Sequence, residues 1–197
     1  MSRFVTPVSL TGAHGVTVEP LSVEHIGEIT AAAADSDNAA LWFTSAPTPE
    51  SAEAWVHRML TMQDGDEGVT FVVRSDGAVV GSTSMFHVDA PNRRLEIGHT
   101  WYSASVRRTR VNSETKLLLL TYAFETLGCV AVEFRTHFFN TTSRAAIERL
   151  GAKLDGILRS HQLLPDGSRR DTVVYSILDI EWPAVRANLR YRLAKHR

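Results

Sequence analysis

The chain has 197 residues, of which 44% are hydrophobic and 22% are charged. This composition is typical of a globular protein with one substantial core, and we expect residues 1–197 to form a single domain. The net charge of −1 argues against a general binder of nucleic acid or anionic membranes, since such proteins usually carry a basic excess. The chain has no run of about 18 apolar residues, no signal peptide and only one cysteine, so a reducing cytoplasm is its expected location.

The first third of the chain predicts an arm, a strand and two helices. Residues 1–15 have no clear periodicity and are expected to form the arm. Val16 to Glu19 alternate as in a strand, which Pro20 ends. Ser22 predicts the cap of a first helix. Thr48-Pro49-Glu50 predicts the start of a second, because a hydroxyl cap followed by proline and an acid is typical of a helix N-terminus.

The middle of the chain predicts an antiparallel meander. Residues 70–74 and 78–86 are strand-like and flank Ser75-Asp76-Gly77, a hairpin signal because Asp-Gly adopts positive φ angles at low cost. A second reversal at Ala90-Pro91-Asn92 leads into a strand from Arg94 to Trp101. The meander therefore predicts the antiparallel first half of a mixed sheet.

The last part of the chain predicts a crossover and a closing hairpin. The pattern favours a helix from Asn112 to Leu127, which delivers Val130 to Thr136 as a parallel neighbour of the preceding strand. Asn140 then opens a short helix that Gly151 stops. Two final strands, 158–164 and 172–178, and a helix over 183–197 complete an α/β fold with flanking helices.

An arginine-rich turn, Val106-Arg107-Arg108-Thr109-Arg110-Val111, lies between the meander and the crossover helix. A cationic turn at a helix N-terminus is suited to a phosphate, because unpaired N–H groups and the helix dipole both favour an anion. No cluster of cysteine and histidine suggests a metal site. Cys129 is expected to be a small buried hydrophobe rather than a nucleophile.

Three ordered motifs make the chain resemble the GCN5-related N-acetyltransferases (GNAT), most closely the branch that includes bacterial ribosomal-protein N-terminal acetyltransferases. The motifs are Glu96-Ile97-Gly98, the turn and helix from Arg107 to Phe124, and Asn140-Thr141-Thr142-Ser143 followed by Glu148-Arg149-Leu150-Gly151-Ala152. The resemblance spans Val16 to Leu178. It implies a GNAT-like mixed sheet and direct transfer, in a ternary complex, of an acetyl group from acetyl-coenzyme A to a primary amine. The acceptor is left open between a protein N-terminus, a lysine and a small amine.

The resemblance also implies a binding site for acetyl-coenzyme A. In the family, the turn after the fourth strand binds the pyrophosphate and usually contains glycines, where this chain has Arg108 and Arg110. We expect arginine side chains to contact the phosphates directly instead; the opposite interpretation is a turn that no longer binds the cofactor. The backbone of the splayed fourth strand near His99 to Tyr102 is expected to contribute N–H groups. The implied cofactor-binding residues are Trp101, Tyr102, Arg107, Arg108, Thr109, Arg110, Val111, Asn112, Asn140 and Ser143.

Three side chains are candidates for the chemistry. The resemblance makes Glu96 the first candidate general base, although it is equally explained as a solvated acid or a partner of Arg94. His99 is the second candidate, with an ordinary pKa close to working pH, or else a semi-buried histidine. Regular alternation places Glu96 and His99 on opposite faces, so both serve one site only if the strand contains a bulge, as the family usually does. The resemblance makes Ser143 the acid for the thiolate, while helix capping also explains Ser143 and Asn140.

Two features keep the acceptor and the function open. The ribosomal branch tends to carry a carboxylate base in the strand after Gly151, but this chain has Gln162, which cannot accept a proton, and His161 is a substitute candidate. Trp42, Phe43 and Trp55 are expected either to shape the acceptor cleft or to belong to the core. Other interpretations are a non-catalytic acyl-CoA-binding or regulatory module of the same fold, and a structural protein whose arginine turn binds a partner. A homodimer is compatible with the family.

Overall fold

The computed structural model describes residues 3–65, 67–164 and 166–195. Within these ranges eight strands form one mixed sheet in the order β1-β2-β3-β4-β5-β6-β8-β7. Every neighbouring pair is antiparallel except β5 and β6, which confirms the expected α/β class with an antiparallel first half. The strands are β1 (Leu10–Thr11), β2 (Val16–Pro20), β3 (Gly68–Ser75), β4 (Ala78–Asp89), β5 (Arg94–Tyr102), β6 (Ala131–His137), β7 (Lys153–Leu163) and β8 (Arg169–Leu178).

Helices cover both faces of the sheet. They are α1 (Ile26–Ala34), α2 (Ala52–Asp64), α3 (Val111–Thr121), α4 (Thr141–Leu150) and α5 (Trp182–Lys195). The crossover helix begins at Val111, one residue earlier than predicted. Its last turn, Tyr122–Thr126, is π-helical rather than α-helical. In the described ranges no helix is long and apolar enough to cross a membrane.

Two apolar cores lie on opposite faces of the sheet. Phe71 and Val72 are adjacent on β3 and therefore point to opposite faces. Phe71 belongs to the core under α3, α4 and α5, with Leu119, Leu150 and Leu189 among its members. Val72 belongs to the core under α1 and α2. The alternating strand residues are buried on both faces, which fixes the register of the central strands.

Several local predictions hold because one residue type determines the backbone conformation at each of these positions. Asp76 and Gly77 form the β3–β4 turn with φ angles of 50° and 87°. Thr48 caps the 3₁₀ turn that leads into α2, and Gly151 ends α4 with a φ of 106°. These turns need positive φ angles or a side-chain cap, and the sequence contains the residues that provide them.

Other boundaries differ from the prediction. β7 begins at Lys153 rather than Leu158, and nearly every residue of this edge strand is exposed. With no buried face, the strand has no apolar alternation from which its start can be read. The N-terminal arm contains a short strand that was not predicted, since Leu10 pairs with Val18 of β2. Val5 of the arm is buried in the core. Pro165 of the last hairpin turn and residues 196–197 of the predicted tail helix lie outside the described residues.

Candidate active site

A β-bulge in β5 brings the two candidate bases to one face of the sheet. Ser84 of β4 pairs with Gly98 and Ser82 pairs with Trp101, so the one residue between the two serines faces two residues of β5. His99 occupies the bulge with a φ of 49°. Its imidazole stacks on the Phe86 ring with centroids 4.2 Å apart, and Phe86 is the cross-strand partner of Glu96. The bulge that Glu96 and His99 require in order to lie at one site is therefore present.

A notch opens beside this bulge. β5 and β6 pair only from Arg94 to Glu96 and from Ala131 to Glu133, whereas β6 continues to pair with β8 as far as His137. The backbone of β5 from Ile97 onward consequently has no strand partner on the β6 side among the described residues. This divergence leaves N–H and C=O groups available to a ligand that enters between the strands.

Glu96 is the buried centre of a chain of ion pairs. Its side chain is 4% exposed, and its Oε2 lies 2.9 Å from His87 Nδ1 and 3.5 Å from Arg135 Nε. Arg135 also contacts Glu133 at 2.8 Å, and Glu133 accepts from Arg94 at 2.7 Å. The alternative in which Glu96 pairs with Arg94 is therefore wrong, because Arg94 pairs with Glu133. The hydrogen bond to Glu96 raises the pKa of His87. We use the name cleft face for the surface formed by Glu96, His99, Glu133, Arg135 and His137.

His99 is half-buried and has no hydrogen-bond partner among the described residues. Its Nδ1 is buried without a hydrogen bond in the described part of the chain. Burial lowers the pKa of His99, although the negative charge of Glu96 acts in the opposite direction. The imidazole is therefore neutral near pH 7, which is the state required of a proton acceptor.

A buried lysine donates hydrogen bonds to two threonine side chains at the bulge. Lys116 of α3 is 4% exposed, and its Nζ donates to Thr100 Oγ1 at 2.8 Å and to Thr83 Oγ1 at 3.1 Å. The two hydroxyls are themselves 2.8 Å apart. Burial lowers the pKa of Lys116 to about 7. Sequence reasoning missed this residue, although its spacing from Leu119 and Leu120 places all three on one helix face and was the available signal.

The arginine-rich turn keeps the backbone conformation that glycine would favour. Arg108 has a φ of 62°, in the left-handed region, at a position where the resemblance implies glycine. The backbone N–H groups of Arg108, Arg110 and Asn112 have no hydrogen-bond partner among the described residues. Val111 is the first residue of α3, so these donors lie at the positive end of the helix dipole.

The side chains of the turn divide into fixed and unpaired groups. Arg107 forms an ion pair with Asp37 and donates to Tyr102 O at 3.4 Å. Thr109 Oγ1 donates to the turn's own backbone at Val106 O, at 2.6 Å. Arg108 and Arg110 have no ion-pair partner in the described ranges. Two unpaired guanidinium groups and a row of unbonded N–H donors fit the pyrophosphate of coenzyme A.

Asn140 and Ser143 lie at the start of α4, as predicted. Asn140 Oδ1 accepts from the backbone N of Ser143 at 3.0 Å, so the capping role of Asn140 is confirmed. Ser143 is half-buried and its hydroxyl has no partner among the described residues. It lies one turn before the buried Ile147, on the side of α4 that faces the sheet. The hydroxyl is thus available to a ligand at the start of α4.

Trp101 and Tyr102 have their side chains in the cores. Trp101 packs edge-on against Trp55 with centroids 6.1 Å apart, and both rings are nearly fully buried. Tyr102 packs with Val16 and Val73, and burial raises the pKa of its hydroxyl. The backbone of these two residues, and not their side chains, is therefore the part that is free to contact a ligand in the notch.

Aromatic side chains form the rim of the cleft face. His137 lies 4.9 Å from Trp42, 5.8 Å from Phe43 and 5.7 Å from Phe139, measured between ring centroids. Trp42 and Phe139 are 58% and 63% exposed. The three predicted aromatics therefore separate, with Trp42 and Phe43 at the rim and Trp55 in the core. Burial lowers the pKa of His137, whose Nε2 is buried without a partner in the described ranges.

Three further candidates take no clear part in this arrangement. Gln162 is exposed on the edge strand, where it pairs with Arg170. His161 is also exposed, and its Nδ1 lies 3.1 Å from Thr172 Oγ1. Cys129 is buried, as predicted, and burial raises its pKa to about 11.

A separate groove of about 720 Å³ lies between the N-terminal arm, α3 and α5. Its lining includes Gly12, His14, Arg110, Glu114 and Arg190. The arm is fixed there by a hydrogen bond from His14 N to Glu114 Oε1, at 2.8 Å. The lining shares Arg110 with the arginine-rich turn but includes none of the residues of the cleft face.

The chain matches known proteins along most of its length. Residues 16–153 match the acetyltransferase (GNAT) domain. A Bacillus subtilis (strain 168) protein named "Putative ribosomal N-acetyltransferase YdaF" is 29% identical over 169 residues, which cover 84% of this chain and 90% of that protein. A GCN5-related N-acetyltransferase from Brucella melitensis is 29% identical, with a TM-score of 0.85 over 96% of this chain and 86% of that one.

Mycobacterium smegmatis RimJ, solved in complex with CoA-disulfide, has the same fold. Its TM-score is 0.76 at 19% identity, over 94% of this chain and 93% of that one. The domain match covers more than two thirds of the chain and includes the bulge, the arginine-rich turn and the start of α4. The resemblance inferred from the three motifs is confirmed. The chain therefore belongs to the GNAT family and is an acetyl-CoA-dependent N-acetyltransferase.

Proposed function

We propose that the protein transfers an acetyl group from acetyl-coenzyme A directly to a primary amine in a ternary complex. The observation that carries the proposal is the bulge at His99, which places a neutral imidazole and a buried carboxylate together beside the notch between β5 and β6. Bound acetyl-coenzyme A supplies the activated acetyl thioester. We further propose a peptide amine as the acceptor, supported by the ribosomal name of the B. subtilis relative and by the exposed aromatic rim. The cytoplasmic location and the single-domain organisation stay predictions.

Each candidate residue has a role that its surroundings support. His99 accepts the proton of the attacking amine, because it is neutral and unpaired. Glu96 stabilises the imidazolium that forms, since its negative charge favours the protonated ring. The Ser143 hydroxyl, unpaired at the start of α4, donates the proton that the departing thiolate takes. Arg108, Arg110 and the N–H groups at the start of α3 hold the pyrophosphate.

Thiol release from acetyl-coenzyme A with a panel of peptides, lysine and small amines tests this function. We expect turnover by the wild type, with a loss of kcat of about 10²-fold or more in His99→Gln and a smaller loss in Ser143→Ala. His57→Gln is the matched control, because His57 is exposed on α2. Tight binding of acetyl-coenzyme A without thiol release for any amine would favour a non-catalytic acyl-CoA-binding module. Unchanged turnover in Ser143→Ala would remove this residue from the chemistry.

A further inference from the structure

Arg170 is a partly buried arginine beside the cleft face. It lies on β8 two residues before Thr172, the cross-strand partner of His137, so all three side chains point to the same face of the sheet. Its Nε is buried, and none of its guanidinium nitrogens has a hydrogen bond or ion pair to another described residue. Burial lowers the pKa of both His99 and His137, and the positive charge of Arg170 acts in the same direction.

One arginine of this face has no carboxylate contact among the described residues. The arginines Arg94 and Arg135 are matched by the glutamates Glu96 and Glu133 through contacts of 2.7 to 3.5 Å. Arg170 adds a third cation and has no such contact within the described ranges. Burial without a partner is costly for a charge, and here it lowers the pKa of Arg170 against the favourable charge of Glu96.

The nearest residues on the same strands do not supply a counterion. Asp171 is engaged by Arg159 at 2.7 Å and by the backbone N of Ser160 at 2.7 Å. Gln162, opposite Arg170 on β7, carries no charge. A counterion for Arg170 must therefore come from outside the described residues.

We propose that Arg170 binds a carboxylate carried by the amine acceptor, so that the enzyme favours acidic acceptors. This inference rests on the proposed function, because it takes the cleft face as the acceptor site. The planar guanidinium presents parallel N–H donors that suit a carboxylate. A single arginine matches the single charge of a carboxylate, whereas a phosphate carries about −1.5 to −2. The carboxylate is either an acidic side chain near the N-terminus of a peptide or the carboxyl group of a small amine.

Matched acceptors that differ only in one charge test the proposal. Six-residue peptides with Glu at position 1, 2 or 3 are compared with twins that carry Gln there, and γ-aminobutyrate is compared with its amide. In the wild type, at least one acidic acceptor is expected to have a KM about tenfold below that of its neutral twin. The peptide and small-amine arms identify the source of the carboxylate.

Three variants locate the effect. Arg170→Gln is expected to reduce the neutral-to-acidic KM ratio to near one, while Arg170→Lys retains part of the preference because it keeps the charge. Arg169→Gln is the matched control, since Arg169 is an exposed neighbour on the same strand, and it should retain the full preference. The absence of any acidic preference in the wild type, or its persistence in Arg170→Gln, overturns the proposal.

Binding measurements separate this proposal from the proposed function. Calorimetric titration of the acidic and neutral twins into the protein without acetyl-coenzyme A requires no chemistry. If no acceptor is acetylated but the acidic twin binds about tenfold more weakly to Arg170→Gln than to the wild type, the role of Arg170 stands and the transfer reaction fails. Equal affinities for the two twins overturn the role of Arg170 whatever the turnover.

Discussion

His99 depends on a backbone conformation that histidine adopts less readily than glycine. A φ of 49° at a non-glycine residue costs free energy and persists only where the surroundings hold it, here by stacking on Phe86. The result is an unpaired imidazole next to a buried carboxylate. Backbone strain of this kind is concentrated at functional sites. The bulge places the side chains of Glu96 and His99 together on the cleft face.

The pH dependence of turnover should identify the proton acceptor. Burial lowers the pKa of His99 below its ordinary value of 6.5, so the ring is already neutral at pH 7 and becomes protonated only at lower pH. We expect kcat/KM to fall as the pH drops through this pKa. The limb should be absent in His99→Gln, whereas the limb due to the acceptor amine, at higher pH, should remain in both proteins. A low-pH limb that persists in His99→Gln would assign the base elsewhere, with Glu96 the first alternative.

Lys116 should reduce stability near neutral pH. Its pKa is about 7 in the folded protein and 10.5 in the unfolded chain, so between these values the unfolded state binds the additional proton. Stability therefore rises with pH across this window. We expect Lys116→Met to be more stable than the wild type at pH 7, by on the order of a few kcal/mol, and the difference to shrink towards pH 10.

Chemical denaturation of both proteins at several pH values measures this difference. Lys195→Met is the matched control, because Lys195 is exposed at the end of α5. A stability difference between Lys116→Met and wild type that is constant with pH would show that Lys116 acts through packing or its bonds to Thr83 and Thr100, not through its charge.

Among the elements, the turn before α3 has a charged residue, Arg108, where glycine would adopt the backbone conformation more easily. Arg108 adopts the left-handed conformation without the freedom of glycine, and it places a cation at a helix N-terminus, where the dipole is unfavourable to it. Both features raise the free energy of the folded chain when no ligand is bound. Both are offset when an anion binds between the guanidinium groups and the unbonded N–H donors.

Two substitutions at Arg108 separate strain from charge. Arg108→Gly and Arg108→Ala both remove the guanidinium, and both should weaken acetyl-coenzyme A binding, with an effect that decreases at high salt. Only glycine relieves the positive φ, so Arg108→Gly should be more stable than Arg108→Ala by about 1 kcal/mol. Calorimetry and denaturation measure the two effects. Unchanged affinity in both variants would exclude a phosphate contact by this side chain.

At the scale of the whole molecule, most of the architecture could be predicted from local signals. The hairpin at Asp76-Gly77, the cap at Thr48 and the stop at Gly151 all follow from what single residues allow the backbone to do. The parallel pairing of β5 and β6 follows from the intervening crossover helix. Family resemblance then supplied the functional expectation, which the domain match supports.

The parts of the site that could not be predicted depend on contacts between distant segments. Alternation alone places His99 opposite Glu96, and only the pairing with β4 reveals the bulge. Arg135 and Arg170 were not among the predicted site residues, because they join this face only when the sheet brings β5, β6 and β8 side by side. The edge strand β7 carries no buried face, so its start was predicted five residues too late. Tertiary pairing, and not composition, defines the cleft face.

The most direct measurement is a calorimetric titration of the purified protein with acetyl-coenzyme A. The account requires that a glycine-free turn, with Arg108 in the left-handed conformation and the N–H groups at the start of α3 unbonded, still holds the pyrophosphate. We predict saturable binding in the micromolar range that weakens with rising salt and in Arg108→Ala. No detectable binding at millimolar ligand would contradict the proposed cofactor site and with it the mechanism built on His99, Glu96 and Ser143.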